Sequence, residues 1–212
     1  MKITGTSIGI CEILIFIYFS NLIKYYNPKL ENLDNLSYYW LCMTVLTGFW
    51  ESVYIYNIKK IIKYSHSLLE NNKHVWDNKY NLTYILPWKL SKIFYAEYGA
   101  WADREYMIIK NEWSQYIEGT HAILCGLFSL FGLLLLINNN SNYIIYLSAG
   151  MGAQLMNSIL YMKEYFIQTK LKNSVNFNNN FFPCGNYLVE RPFMYVNIFW
   201  TIMPIYVIIN LF

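Results

Sequence analysis

The sequence predicts an all-α integral membrane protein, a bundle of about five transmembrane helices. Three observations carry that expectation. Charged residues make up 14% of the chain and hydrophobic ones 56%, whereas an ordinary soluble domain carries roughly 25% charge. Aromatic residues reach 19%, with 21 Tyr and 7 Trp, a composition suited to the interfacial belts of a membrane protein. Apolar runs recur at lengths near the roughly 20 residues needed to cross a bilayer core.

Taken in order, the first expected span covers residues 6–23. No small-residue cleavage pattern follows it, so it reads as a retained helix rather than a signal peptide. The second covers 38–58 and the third 114–137, ending in Leu133-Leu134-Leu135-Leu136-Ile137. Asn138-Asn139-Asn140-Ser141-Asn142 is a short polar turn, making spans three and four antiparallel neighbours. The fourth covers 143–166 and the fifth 193–211, with Pro204 inside it. Neighbouring helices can satisfy the carbonyl that a membrane-embedded proline frees. Between the second and third spans lies a long polar connection, 59–113, whose start is amphipathic and extends the second helix along the interface. A second polar stretch, 173–185, leads to the last span.

A net charge of +3 without a basic cluster gives no reason to expect nucleic acid as a partner. Of Cys11, Cys42, Cys125 and Cys184, the first three lie in apolar runs without paired spacing, so free thiols are expected there and no zinc site. Lys and Arg gather in the long connection and near the N-terminus, which the positive-inside rule places in the cytosol.

Ionisable groups at membrane depth cost about 2.5–3.5 kcal/mol on insertion scales, which gives each a functional weight. Glu51 lies mid-span in Thr47-Gly48-Phe49-Trp50-Glu51. Glu118 and His121 are three residues apart, on one helix face that Ser114 and Cys125 extend. Gln154, Asn157 and Tyr161 form a stripe on the fourth span, and Asn197 and Trp200 share a face of the fifth. The bland alternative is that such groups hold helices together. The chemical alternative is proton transfer to and from an apolar substrate, with a carboxyl as acid, a second carboxyl or the imidazole as base, and a Trp face beside a developing cation.

These residues resemble a known family. Glu118-Gly119-Thr120-His121-Ala122 with Gly126-Leu127-Phe128-Ser129-Leu130 looks like the third-helix motif of the emopamil-binding protein family, the Δ8–Δ7 sterol isomerases. Ala96-Glu97-Tyr98-Gly99 and Asp103-Arg104-Glu105-Tyr106 look like its upstream stretch. Gln154 with Leu160-Tyr161 is similar to its fourth helix, and Asn197-Ile198-Phe199-Trp200 with Pro204 to its fifth. The resemblance runs over residues 47–204 in the family's order.

It implies a first helix and loop at 1–30, then a four-helix EXPERA-like membrane domain at 36–212. It further implies a multi-pass protein of the endoplasmic reticulum that moves a sterol double bond without a cofactor. By resemblance, Glu118 is the acid that protonates the alkene; if the chain is an isomerase, Glu51 with His121 is expected to assist loss of the second proton. Asn197 and Trp200 shape the pocket, which Thr47, Asn157 and Tyr161 also line. The partners expected are a sterol or other apolar small molecule, membrane lipids and, at most, a second copy of the chain. The resemblance also places the N-terminus and long connection in the lumen, opposite to the charge count.

One departure is marked. The family has His four residues before the second-helix Glu and Thr three residues after the third-helix Glu. This chain has Thr47 and His121 at those places, so the two look exchanged between facing helices. Three readings follow: an isomerase, a non-catalytic sterol- or lipid-binding relative, and a structural subunit of a membrane assembly.

Overall fold

The computed structural model describes residues 2–102, 112–168 and 193–212, and these are mostly helical. Among them, six α-helices follow one another: α1 (Gly5–Tyr26), α2 (Asn35–Glu70), α3 (Pro87–Glu97), α4 (Glu112–Ile137), α5 (Tyr143–Gln168) and α6 (Phe193–Leu211). All five expected spans fall on helices. Two stretches are long and apolar enough to cross a membrane, Gly5–Tyr26 and Gly119–Ile137, and the apolar run Tyr195–Leu211 is shorter. The expected connection at 173–185, with Cys184, and the Asp103-Arg104-Glu105-Tyr106 stretch lie outside the described residues.

Helix α1 begins at an N-cap, where the Thr4 hydroxyl accepts the Ser7 N–H at 3.2 Å. Its sidedness is the reverse of a soluble amphipathic helix. Ile10 and Leu14 are 55% and 61% exposed, whereas Glu12 is 4% exposed, on the inward stripe with Gly5, Ile8 and Ser20. Both ends are tied down. Gly5 and Thr6 N–H groups donate to the Asn78 and Trp76 carbonyls at 3.0 and 3.1 Å. At the other end Tyr38 donates to the Ser20 carbonyl at 2.7 Å, and Lys24 to Asn35 at 2.8 Å. A short strand β1 (Lys2–Thr4) pairs antiparallel with β2 (Lys79–Asn81), so the N-terminus and the long connection share one end of the bundle.

Helix α2 continues beyond the expected span at 38–58, as the amphipathic start of the connection suggests, and runs unbroken to Glu70. At 1.5 Å per residue its 36 residues span roughly 54 Å, well beyond a hydrocarbon core of about 30 Å. Its second half is therefore free to carry the connection. That connection is not merely polar. It folds over α2 as α3 and a single π-helical turn, Tyr98–Ala102, and its Leu90, Ile93, Tyr95, Ala96 and Ala100 are buried with Tyr54, Ile61 and Leu68. Ser65 of α2 donates to the Ala96 carbonyl at 2.9 Å, fixing α3 against it.

Helices α2 and α4 meet closely because neither has a side chain at the crossing. A Cβ on Gly48 would lie 2.8 Å from the Ala122 carbonyl and 3.0 Å from Gly126 Cα, and one on Gly126 would lie 3.1 Å from Gly48 Cα. A second apolar cluster, with Leu30, Tyr38, Leu41, Leu136, Leu147, Met151 and Val207, closes the opposite end of the bundle.

Candidate functional site

Between the two apolar clusters lies a cavity of about 580 Å³. It draws its walls from α1, α2, the connection, α4, α5 and α6. Of the residues singled out in the sequence, Thr47, Glu51, His121, Asn157, Tyr161, Asn197 and Trp200 all line it. Glu118 lies on α4, but its side chain falls outside the described residues. Its neighbour Gly119 faces α2: a Cβ there would collide with Ile55 and lie 3.8 Å from Glu51 Oε2. On the same helix, three residues on, is His121, on the cavity wall.

The carboxyl of Glu51 accepts a hydrogen bond from the Tyr95 hydroxyl at Oε1. Tyr95 is on α3, outside the expected spans, and burial and then the Glu51 carboxylate hold its phenol well above the ordinary range. It therefore stays a donor and keeps Glu51 oriented.

His121 is oriented from α5. Its Nε2 lies 3.1 Å from the Ala153 carbonyl and 3.2 Å from Cys125 Sγ. A carbonyl only accepts, so Nε2 bears the proton, and in the neutral ring the lone pair sits on Nδ1. An imidazole held this way presents a base.

Opposite it, Thr47 donates to the Thr44 carbonyl at 3.1 Å, so its hydroxyl proton is engaged on its own helix. Gln154 is buried and accepts from Trp40 Nε1 at 2.9 Å. Trp40 in turn packs edge-to-face on Trp200 with centroids 4.9 Å apart. Tyr161 lies with its hydroxyl 3.3 Å from that of Tyr98, bridging α5 to the connection.

Some cavity residues carry no warning in the sequence reading. Trp76, Phe94 and Tyr95 come from the long connection, which read as a polar linker. Glu12 comes from α1 and is the one acidic or basic residue within residues 6–23. The same rule that weighted Glu51 would have found it. Glu97, by contrast, belongs to the quoted stretch but does not line the cavity. It accepts from His74 Nδ1 at 2.6 Å and from the Val75 N–H at 3.0 Å, clipping the connection to the end of α3.

Comparison with known proteins finds no family model, no curated protein and no solved structure that matches the chain.

Proposed function

We propose that the chain is a multi-pass protein of the endoplasmic reticulum membrane, with α1, the first part of α2, α4, α5 and α6 as five spans, and that it shifts a sterol double bond from C8 to C7. One observation carries the reading. A single cavity of about 580 Å³, a size suited to a small-molecule ligand, gathers Glu51, His121, Asn197 and Trp200 within largely apolar walls. To Glu51, Asn197 and Trp200 the family resemblance assigns a place in the site, and His121 brings an imidazole from the facing helix.

In this reading Glu118 donates a proton to one alkene carbon, C9. That leaves a tertiary cation at C8. The Trp200 face, set edge-on against Trp40, is the group available to stabilise it. His121, its Nε2 proton committed to Ala153, takes the C7 proton at Nδ1 while Glu51 stabilises the imidazolium formed. The C7–H electron pair becomes the new double bond. One proton is gained and one lost, so no cofactor is called for.

Expression in a yeast strain lacking sterol isomerase, with sterols profiled by mass spectrometry, tests this. Δ7 sterols should appear with the native chain and fall at least a hundredfold with Glu118→Gln. Persistent Δ8 sterols at good membrane expression would overturn the reaction.

A second reading, a non-catalytic sterol- or lipid-binding relative, is favoured by Thr47. Where the resemblance expects an imidazole, there is a hydroxyl satisfied on its own helix. The two readings part on the exchange of residues between α2 and α4. If the imidazole works equally well from either wall, Thr47→His/His121→Thr should convert more Δ8 sterol than His121→Thr alone. Equal loss in both would sink the exchange.

A further inference from the structure

Two residues of the cavity wall each carry a buried polar atom with no hydrogen-bond partner among the described residues: Glu12 Oε2 and Trp50 Nε1. Their residues are 4% and 8% exposed. One atom accepts and the other donates. They come from different helices, α1 and α2, and both residues belong to the cavity wall. Leaving such groups unmet costs free energy comparable to a lost hydrogen bond each, so a bound ligand that meets both gains affinity and orientation.

We propose that Glu12 and Trp50 form the polar-end subsite of the cavity and that it takes a neutral hydroxyl. A hydroxyl donates to the carboxylate and accepts from the indole N–H, so a single group can satisfy both atoms. An ammonium has no lone pair and would leave Trp50 Nε1 unmet. A ketone or ether would leave Glu12 unmet. The ligand class is then a mono-hydroxylated, otherwise apolar ring lipid. Its hydroxyl lies towards α1 and its body towards His121 and Trp200. The ring-lipid part of this inference rests on the sterol reading; the hydroxyl part rests on the two unmet atoms.

The test is binding of cholesterol and of cholest-5-ene, which lacks the hydroxyl, to the purified full chain in lipid nanodiscs. The native chain should hold cholesterol about tenfold more tightly, the yield of one well-made hydrogen bond to a charged group. Glu12→Leu should bring the ratio close to one while binding of cholest-5-ene persists. That persistence also shows that the variant is folded. Trp50→Phe should lower the ratio in part. Equal affinity of the native chain for the two probes, failure to bind either, or a preference that survives Glu12→Leu would each overturn the subsite. Sterol profiling in yeast separates this from the reaction. Lost isomerisation with the hydroxyl preference intact sinks the chemistry alone. Isomerisation without the preference sinks the subsite alone.

Discussion

At the scale of single residues, Asp34 shows how one carboxyl can serve two helices. Its Oδ1 accepts the Ser37 N–H at 3.0 Å, capping α2, and the Tyr206 hydroxyl of α6 at 3.1 Å. Partial burial would raise the Asp34 pKa, but the bonds from Ser37 and Tyr206 outweigh it and hold the carboxyl below its ordinary value. A depressed folded-state pKa means a contribution fully present above the ordinary aspartate value of about 3.9 and lost as pH falls through the folded one. An N-cap carboxyl of this kind is expected to contribute about 1 kcal/mol. Melting curves of the native chain and Asp34→Ala should therefore differ at neutral pH and converge on acidification. A gap that is constant with pH would assign the effect to packing. His121 and Glu12 differ from Asp34 in legibility. A His beside a Glu on an apolar helix stands out in the sequence. The partner that sets the imidazole's tautomer, the Ala153 carbonyl, does not, because every residue has a carbonyl and only the crossing of α4 and α5 selects one.

At the scale of elements, the proline in α6 gives the clearest link from sequence to packing. Pro204 has no N–H, so the carbonyl four residues back, that of Trp200, loses its helical donor. Ser158 of α5 donates to that carbonyl at 2.9 Å and also lies 2.9 Å from the Gln154 carbonyl. One hydroxyl proton thus serves two acceptors, and it fixes Trp200 against the cavity from behind. Ser158→Ala should cost about 1–2 kcal/mol in unfolding free energy from mild detergent. It should lower sterol conversion more than Ser148→Ala, a control on the same helix whose hydroxyl has no hydrogen-bond partner among the described residues. Equal effects from the two would remove the positioning role. The need for a donor was readable from Pro204. Its identity was not, since several polar residues on the fourth span were equally eligible. The extension of α2 past its span was legible from the amphipathic start of the connection, but its full reach to Glu70 was not. Hydropathy marks where a helix leaves the apolar layer, whereas the helix itself continues because Ile61, Ser65 and Leu68 remain buried under α3.

For the whole molecule, the pairing of β1 with β2 and the alternation of helices set which ends lie together. The N-terminus and the connection share one end, and the Asn138–Asn142 turn and the C-terminus share the other. Single cysteines placed at Lys2 and Asn72, in a background without the native ones, should react with an impermeant maleimide from one side of sealed microsomes. Cysteines at Asn139 and Phe212 should react only from the other side. Labelling of Lys2 and Asn72 from opposite sides would break the proposed five-span arrangement. Helical character and the polar positions Thr47, Glu51, His121, Asn157 and Asn197 were legible in the sequence alone. Apolar run length, helical spacing and the cost of buried charge are local properties, and a single chain displays them. Only the tertiary structure decided that these faces surround one cavity, that a polar-looking connection supplies Tyr95 to orient Glu51, and that α1 turns Glu12 inward. Those facts depend on which helices cross and how closely, and the crossing of Gly48 with Gly126 is settled by the fit of two surfaces.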